Sequence, residues 1–304
     1  VFLTTVTFEL AGAALSFLVF RKSFPPLKAA GVSLFHSVAS FNNSGFDILG
    51  GGQNLIPYQD DVLLNLVTCA LVIFGGIGFL VIREVIAKRF RWKKLSMHAK
   101  VVLFMSLVLT AAGTVLLNLT EDITWMGAFF TSVSARTAGF STFSLGSFSS
   151  AGLLTVIVLM VIGASPGSTG GGIKTTTCYV LFEGIRSSAT NTSEKAFRYA
   201  VPADAFRKAA VITLLAIGIV LSGTYILVIL EPGVPFLDAL FEMSSAFGTA
   251  GLSTGISAGL CDAAKILTIL IMFIGRLGPL TIASLWYFTK GERVSYPEGN
   301  IAIG

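Results

Sequence analysis

FHSVASFNNSGF at residues 35–46, FFTSVSARTAGF at 129–140 and FEMSSAFGTAGL at 241–252 are three versions of one short segment. Each version is a small amphipathic run that ends in a glycine followed by a large apolar residue, and each lies between long apolar stretches. The final glycines are Gly45, Gly139 and Gly251. Their separation leaves room in each repeat for two membrane spans and a re-entrant hairpin.

The composition predicts an integral membrane protein. Apolar residues make up 54% of the chain, charged residues 12%, and the mean hydropathy is +0.82. Soluble domains usually contain about 25% charged residues. The apolar stretches that predict membrane-spanning helices are residues 2–20, 62–82, 101–119, 209–230 and 263–288.

The segments predict an all-α polytopic membrane protein made of three repeat units, residues 1–97, 98–204 and 205–304. Each unit is expected to hold a long helix, a short pore helix, a glycine loop that forms a filter, and a second helix. The predicted helices are 2–20, 28–41 and 61–87, then 98–119, 125–135 and a broken 151–187, then 205–230, 235–247 and 262–290. Three hairpins do not close a pseudo-fourfold pore, so we expect a fourth unit before Val1.

Positive charge predicts the orientation of the units. Two basic segments, 83–100 and 186–208, each follow the second helix of a unit. Short basic loops stay on the cytoplasmic side of a membrane, so the glycine loops should open outward. The cations that this orientation places on the outer side, fewer in number, are Arg21, Lys22 and Lys28.

The three glycine loops are predicted to line a path for cations. Irregular backbone at membrane depth is tolerated only where protein buries it or where it borders a watery cavity. A pore helix that enters from outside points its partially negative C-terminal end toward the membrane centre, which favours a cation. Backbone carbonyls can then replace the water around K⁺ or Na⁺. The predicted filter residues are Asn42, Asn43, Ser44, Gly45, Arg136, Thr137, Ala138, Gly139, Gly248, Thr249, Ala250 and Gly251.

Close helix packing through small residues is the alternative explanation for any single loop of this kind. Three copies in matching positions favour the filter. Asn42 and Asn43 are expected to brace the first loop with side-chain hydrogen bonds. Arg136 would block a cation path if it pointed inward, so we expect it to point away and to pair with an acid. The candidate partners are Asp238, Glu242 and Glu9.

A glycine-rich loop, GASPGSTGGGIKT at residues 163–175, interrupts the second span of the middle unit. A helix does not continue through a proline and this many glycines, so the loop should lie at membrane depth below the filter. A phosphate-binding loop needs glycine directly before the lysine, where this chain has Ile173, and no strand precedes it. A mobile obstruction of the path fits better. The predicted gate residues are Gly163, Ala164, Ser165, Pro166, Gly167, Ser168, Thr169, Gly170, Gly171, Gly172, Ile173, Lys174, Thr175 and Arg276.

Two of these residues carry charge inside a predicted span, which marks them as functional candidates. Lys174 is expected to place its ammonium where a cation would otherwise pass. Arg276 can either bond carbonyls left free by the broken helix or repel cations in the path. Structural pairing of either residue with buried backbone is the alternative.

Six segments carry a resemblance to a known family: NNSGF (42–46), RTAGF (136–140), GTAGL (248–252), GASPGSTGGGIKTTT (163–177), FIGRLGP (273–279) and YPEGNIAIG (296–304). They are similar to segments of the Trk/Ktr/HKT superfamily of potassium transporters, and most closely to those of the Ktr membrane subunit. The resemblance implies that four repeats surround one pore, that residues 163–176 form an intramembrane gate, and that Arg276 faces it. It also implies a homodimer formed through the C-terminal tail and the last helices, and a cytosolic ring of nucleotide-binding regulatory subunits of the KtrA-like RCK type.

We therefore expect K⁺ uptake across a bacterial cytoplasmic membrane, without enzymatic activity. K⁺ at the filter is the only metal expected, no covalent cofactor is expected, and Na⁺ is a candidate activator. One glycine per repeat predicts fewer stacked carbonyl sites than the TVGYG filter of K⁺ channels, and hence slower throughput. A Na⁺ uniporter on the same scaffold is the first alternative. An ATP-driven pump or membrane enzyme is the second, and the sequence shows none of the paired carboxylates, metal clusters or nucleotide sites it would need.

Overall fold

The computed structural model of the protein describes residues 2–50, 53–202, 204–278 and 281. In this part of the chain, α-helices follow one another in three groups. The helices are α1 (Phe2–Phe20), α2 (Pro26–Phe41), α3 (Val62–Ile77) and α4 (Phe79–Ala87) in the first group; α5 (Met97–Thr120), α6 (Trp125–Ala135), α7 (Ser150–Val161) and α8 (Thr175–Thr190) in the second; and α9 (Ala205–Leu230), α10 (Phe236–Gly248) and α11 (Asp262–Leu277) in the third. The boundaries drawn between the units, after residues 97 and 204, stay a prediction.

Three of the described helices, α1, α5 and α9, are each long and apolar enough to cross a membrane. Each opens a group, and each is followed by a shorter helix, α2, α6 or α10, where a pore helix was predicted. α11 ends at Leu277, before Gly278, in contrast to the prediction of one helix over 262–290. The rest of that range, apart from position 281, and the tail that follows lie outside the described residues.

The second membrane span of the first group is divided into α3 and α4, in contrast to the prediction of one helix over 61–87. The axes of α3 and α4 differ by 97° across a break at Gly78. Gly78 has φ +96° and ψ 139°, a conformation that side-chain-bearing residues rarely adopt. Gly278 follows α11 in nearly the same conformation, with φ +90° and ψ 137°. α3 and α11 therefore end in the same way, before a glycine with positive φ.

Side-chain caps fix where several helices begin. Asp61 accepts a hydrogen bond from the amide of Leu64 at 2.9 Å at the start of α3. Ser96, Thr124 and Ser149 cap α5, α6 and α7 in the same manner. Each cap satisfies one of the amides that a helix leaves without a partner in its first turn. The caps lie between apolar runs, which confines each helix to its own stretch of sequence.

The helices of each group meet at a glycine of the first helix. A Cβ on Gly12 of α1 would overlap the Ser37 hydroxyl of α2 and lie 2.6 Å from a methyl of Leu71 in α3. The corresponding neighbours are Ser132 and Leu159 around Gly113, and Met243 and Ile271 around Gly223. A bare α-carbon on the first helix lets the other two approach closely. This shared packing holds each short helix in the same place in its group.

A short β-hairpin, β1 (Lys195–Ala196) with β2 (Tyr199–Ala200), follows α8. Ala196 is buried in a cluster with Val101 and Met105 of α5. The hairpin is therefore docked on the first helix of the second group, near its N-terminal end.

Candidate functional site

The three repeat glycines converge. A Cβ on Gly45 would lie 2.5 Å from the Ala138 carbonyl oxygen and 2.8 Å from the α-carbon of Gly139. A Cβ on Gly139 would lie 2.5 Å from the Ala250 carbonyl oxygen and 3.3 Å from the α-carbon of Gly251. All three glycines have positive φ, at +68°, +79° and +82°. Loops from three separate groups thus present backbone, with no side chain between them, to one shared centre.

A second position in each loop shares an unusual backbone conformation. Two residues before the repeat glycine, Asn43, Thr137 and Thr249 have φ of +52°, +85° and +50°. Residues with a side chain rarely adopt positive φ, and threonine is branched at Cβ, so these positions store strain. The sequence does not predict this feature, because only glycine is a reliable sign of positive φ.

α3 and α11 pack against the C-terminal ends of the short helices α2 and α10. A Cβ on Gly75 of α3 would overlap the carbonyl oxygen of Phe41, the last residue of α2. Gly275 of α11 stands in the same relation to Phe247, next to the end of α10. These ends carry the partial negative charge of their helices, and they adjoin the repeat loops.

Two asparagines brace the first loop, as predicted. The Asn42 amide donates to Glu9 Oε1 and to the Val38 carbonyl, both at 2.9 Å. Asn43 is buried, and its amide group lies 3.2 Å from Thr137 Oγ1 of the second loop. Ser44 turns its hydroxyl back to Ala39 O at 3.1 Å. Asn43 therefore links two repeat loops, whereas Asn42 and Ser44 bond within the first group.

Arg136 points away from the shared centre, but the expected acidic partner was wrong. Its guanidinium donates to Ser106 O at 2.9 Å, to Thr110 Oγ1 at 3.2 Å and to Ser106 Oγ at 3.3 Å. Arg136 is only 8% exposed and is held by backbone and hydroxyl oxygens of α5. Of the proposed partners, Glu242 accepts from Ser253 and Ser257.

The acid Glu9 is likewise engaged elsewhere, because it accepts from Asn42. The third proposed partner, Asp238, forms no ion pair within the described residues. No acid in the part of the chain that the structure describes neutralises Arg136 by an ion pair.

The glycine-rich loop at 163–175 touches the second and third repeat loops. Thr249 Oγ1 accepts a hydrogen bond from the Gly171 amide at 3.1 Å. A Cβ on Gly170 would overlap the Thr137 hydroxyl, and a Cβ on Gly171 would lie 2.5 Å from the Thr249 hydroxyl. The strained threonines of the repeat loops therefore rest on two bare α-carbons of the glycine-rich loop.

The same loop fills the break between α3 and α4. The Ser165 amide donates to Gly76 O at 3.0 Å, and the Phe79 amide donates to Gly167 O at 3.2 Å. Thr169 Oγ1 donates to Gly75 O at 3.2 Å. These bonds supply partners for backbone groups that a helix end would otherwise leave unsatisfied. The broken spans of two groups thus stabilise one another.

Both cations of the predicted gate bond to the glycine-rich loop. Lys174 Nζ donates to Gly170 O at 2.7 Å, so its ammonium is folded onto the loop backbone. Arg276 Nη1 donates to Thr169 O. Of the two roles considered for Arg276, this contact matches the bonding of a free carbonyl. A hydroxyl pair, Ser165 Oγ to Thr175 Oγ1 at 2.9 Å, ties the two ends of the loop together.

The fold and this site define a class: helical membrane proteins in which re-entrant loops of successive repeats surround a common centre. A family model described as "TrkH: Cation transport protein" matches residues 1–124 and 95–289. The chain belongs to this family of cation transport proteins.

Relatives of known name agree with this assignment. The chain is 34% identical over 317 residues to Ktr system potassium uptake protein B of Bacillus subtilis, a match that covers 100% of this chain and 70% of the relative. It is 33% identical over 320 residues to potassium/sodium uptake protein NtpJ of Enterococcus hirae, covering 98% of this chain and 70% of the relative.

A solved structure shows the same fold. The crystal structure of the potassium transporter TrkH from Vibrio parahaemolyticus superposes with a TM-score of 0.75 at 20% sequence identity. The match covers 93% of this chain and 62% of that chain, so the chain spans less than two thirds of that protein. The predictions of the family, of a helical multi-pass membrane protein and of a transporter that is not an enzyme are confirmed.

Proposed function

We propose that the protein conducts K⁺ through a path whose narrowest part is lined by the carbonyls of the three repeat loops. One observation carries the proposal: Gly45, Gly139 and Gly251, from three separate groups, meet backbone to backbone with positive φ. The carbonyl oxygens of Ala138 and Ala250 lie close to Gly45 and Gly139 at this centre. Such oxygens can replace the hydration shell of a cation. The names of the relatives, which are potassium uptake proteins, support K⁺ as the ion.

We propose further that the glycine-rich loop is the gate. It lies against Thr137 and Thr249 of the repeat loops, and Arg276 and Lys174 hold its carbonyls. Opening requires that these few hydrogen bonds break. Each contributes about 1 kcal/mol, so a ligand or partner of modest affinity can shift the loop.

Na⁺ transport on the same scaffold is the second candidate. A specific observation favours it: the name of the Enterococcus hirae relative, potassium/sodium uptake protein NtpJ, includes both ions. On this alternative the loops conduct Na⁺ or both ions. Na⁺ as an activator of K⁺ uptake belongs to the same group of proposals.

The assembly proposed for the protein is a homodimer, formed through the C-terminal tail and last helices, with a cytosolic ring of KtrA-like nucleotide-binding subunits. Its support is the resemblance to Ktr systems and the likeness to their potassium uptake protein B. The tail, residues 290–304, lies outside the described residues.

Cation uptake by the full-length protein in liposomes tests the proposed function. K⁺, Rb⁺ and Na⁺ entry are compared under an imposed voltage, with empty liposomes as the control. Entry of K⁺ and Rb⁺ well above Na⁺ supports the carbonyl filter, and a unitary rate below that of K⁺ channels supports the smaller number of carbonyl sites. Equal or Na⁺-dominated entry would instead assign the protein to the second candidate.

A further inference from the structure

A cavity of about 480 Å³ lies at the basic end of the helices, away from the repeat loops. It opens between the 3₁₀ turn Trp92–Lys94, which precedes α5, and the β-hairpin docked on α5. Its walls carry three cations and two aromatic rings, from Trp92, Lys93, Lys100, Phe197 and Arg198. None of these lining residues is acidic, so the cavity has the chemistry of a site for an anion.

Lys100 is the strongest evidence for an anionic ligand. It lies in the first turn of α5 and is only 8% exposed. Its ammonium lies 5.7 Å from the centre of the Tyr199 ring and forms no ion pair with an acid among the described residues. Burying a cation without a counter-ion costs free energy. Lys88, by contrast, forms an ion pair with Glu84 at 2.5 Å. The cavity therefore contains a buried positive charge that an incoming anion would neutralise.

Two acids close to the cavity in sequence, Glu84 and Glu183, are engaged by other groups. Glu84 accepts from Lys88 and from the amide and hydroxyl of Ser96. Glu183 accepts from Arg186 and from the Lys195 amide. A third acid, Glu194, precedes the hairpin; its Oε2 is buried without a hydrogen-bond partner among the described residues, and it does not line the cavity.

The position of the cavity favours a lipid over a soluble anion. Lys100 opens a 24-residue apolar helix that is long enough to cross a membrane, so the cavity lies where such a helix meets water. Phe197 packs edge-on against Trp92 and Phe104, with ring centres 5.9 and 6.2 Å apart. Phe104 is exposed along α5, which gives an acyl chain an apolar surface to follow. Aromatic rings and cations together mark the membrane–water interface.

We propose that this cavity binds the phosphate of an anionic phospholipid headgroup, held by Lys93, Lys100 and Arg198 and flanked by the rings of Trp92 and Phe197. Basic pockets beside transmembrane helices recognise such headgroups through charge. Bound lipid would join the turn before α5 to the hairpin after α8.

The test uses Trp92, which lines the cavity, as the probe. The full-length protein is prepared with Trp92 as the only tryptophan, replacing Trp125, Trp286 and any others by Phe. Its fluorescence is titrated with brominated phosphatidylglycerol and with brominated phosphatidylcholine in mixed micelles. Quenching at lower concentration of the anionic lipid is expected. Equal quenching by both lipids would overturn the proposal.

Charge removal locates the binding site. Lys100→Gln should weaken the preference for phosphatidylglycerol about fivefold, and the triple variant Lys93→Gln/Lys100→Gln/Arg198→Gln should abolish it. The matched control removes three cations that the sequence places on the opposite side of the membrane, Arg21, Lys22 and Lys28, and should leave the preference intact. Elution as a single species on gel filtration confirms that each variant is folded. An unchanged preference in the triple variant would contradict the proposal.

A soluble anion is separated from a lipid in a third arm. Inorganic phosphate and ATP are added at millimolar concentration before the lipid titration. Quenching by phosphatidylglycerol that survives both supports a lipid site. Protection by ATP, together with no preference between the two lipids, would assign the cavity to a soluble phosphate compound instead. None of these measurements depends on ion flux.

Discussion

Thr249 stands directly over Gly171: its hydroxyl accepts the Gly171 amide at 3.1 Å, and a Cβ on Gly171 would lie 2.5 Å from that oxygen. Thr249 has φ +50°, which is strained for a threonine. A strained residue of a repeat loop is therefore hydrogen-bonded to a residue of the glycine-rich loop that has no side chain. The contact couples the proposed filter to the proposed gate without any charged group.

The substitution Gly171→Ala should therefore raise basal cation uptake. The added methyl displaces the glycine-rich loop and breaks a hydrogen bond of about 1 kcal/mol, which shifts the closed–open equilibrium about fivefold. Ion flux in liposomes without any regulatory partner measures this. The double variant Gly171→Ala/Thr249→Ala removes the overlapping atoms and should restore most of the packing, though not the hydrogen bond. Greater leak in the double variant than in Gly171→Ala would show that the methyl acts in another way.

Loss of the Arg276 contact should also increase basal uptake. Arg276→Ala removes the donor to Thr169 O, a charged hydrogen bond worth about 1.5 kcal/mol at an exposed position, or about tenfold in the equilibrium. Lys265→Ala removes a cation from the same helix and serves as the matched control. Wild-type flux in Arg276→Ala would make the arginine structural, and a leak of equal size in Lys265→Ala would point to a general effect of charge.

Alanine at the repeat glycines should weaken K⁺ selectivity in a defined order. Gly139→Ala suffers twice: a positive φ that costs an L-residue about 1–2 kcal/mol, and a Cβ 2.5 Å from the Ala250 carbonyl oxygen. Gly251→Ala meets nothing closer than 3.6 Å and suffers only from its φ. The K⁺/Na⁺ uptake ratio should fall further for Gly139→Ala than for Gly251→Ala.

Gly31→Ala is the control for this order, because Gly31 lies in α2 with open space around it and should keep the wild-type ratio. The reverse order of the two loop variants would mean that the close approach of the loops does not set selectivity.

Arg136 should contribute to stability more than to selectivity. Lysine cannot reproduce the fork of three hydrogen bonds to Ser106 and Thr110, so Arg136→Lys should cost about 2–3 kcal/mol of unfolding free energy. Thermal denaturation in detergent checks this, with the loop variant Arg89→Lys as the control. An unchanged midpoint together with altered K⁺/Na⁺ selectivity would place Arg136 in the ion path.

The sequence predicts the short helices well, because each is bounded by local signals. The helix predicted at 125–135 coincides with α6, where Thr124 caps the first turn and the chain turns at Arg136. The long helices α1 and α9 also match their predicted ranges within a residue. An apolar run of this length in a membrane satisfies its backbone groups by forming a helix.

The break at Gly78 escaped the sequence because FGGIGF at 74–79 is apolar throughout and hydropathy does not report backbone torsion. The signal lay in its match to FIGRLGP at 273–279, which places glycines at 75 and 78 against 275 and 278. The positive φ of Thr137 and Thr249 could not be predicted from the sequence, because threonine rarely adopts this conformation. The partners of Arg136 could not be read either, since a backbone carbonyl on another helix leaves no trace in the side-chain sequence.

The glycines of this protein differ in whether a second mutation elsewhere can make room for a side chain added at the glycine. Around Gly12 the obstructing atoms belong to side chains, Ser37 and Leu71, so a smaller residue at either position can make room for an added methyl. Around Gly45 and Gly139 the obstructing atoms are backbone, and no substitution elsewhere removes a carbonyl. A suppressor screen that starts from a Gly12 variant should recover second-site revertants, whereas one that starts from Gly139 should return only glycine. The loop centre is thus closed to gradual evolutionary change, while the helix contacts that support it remain open to it.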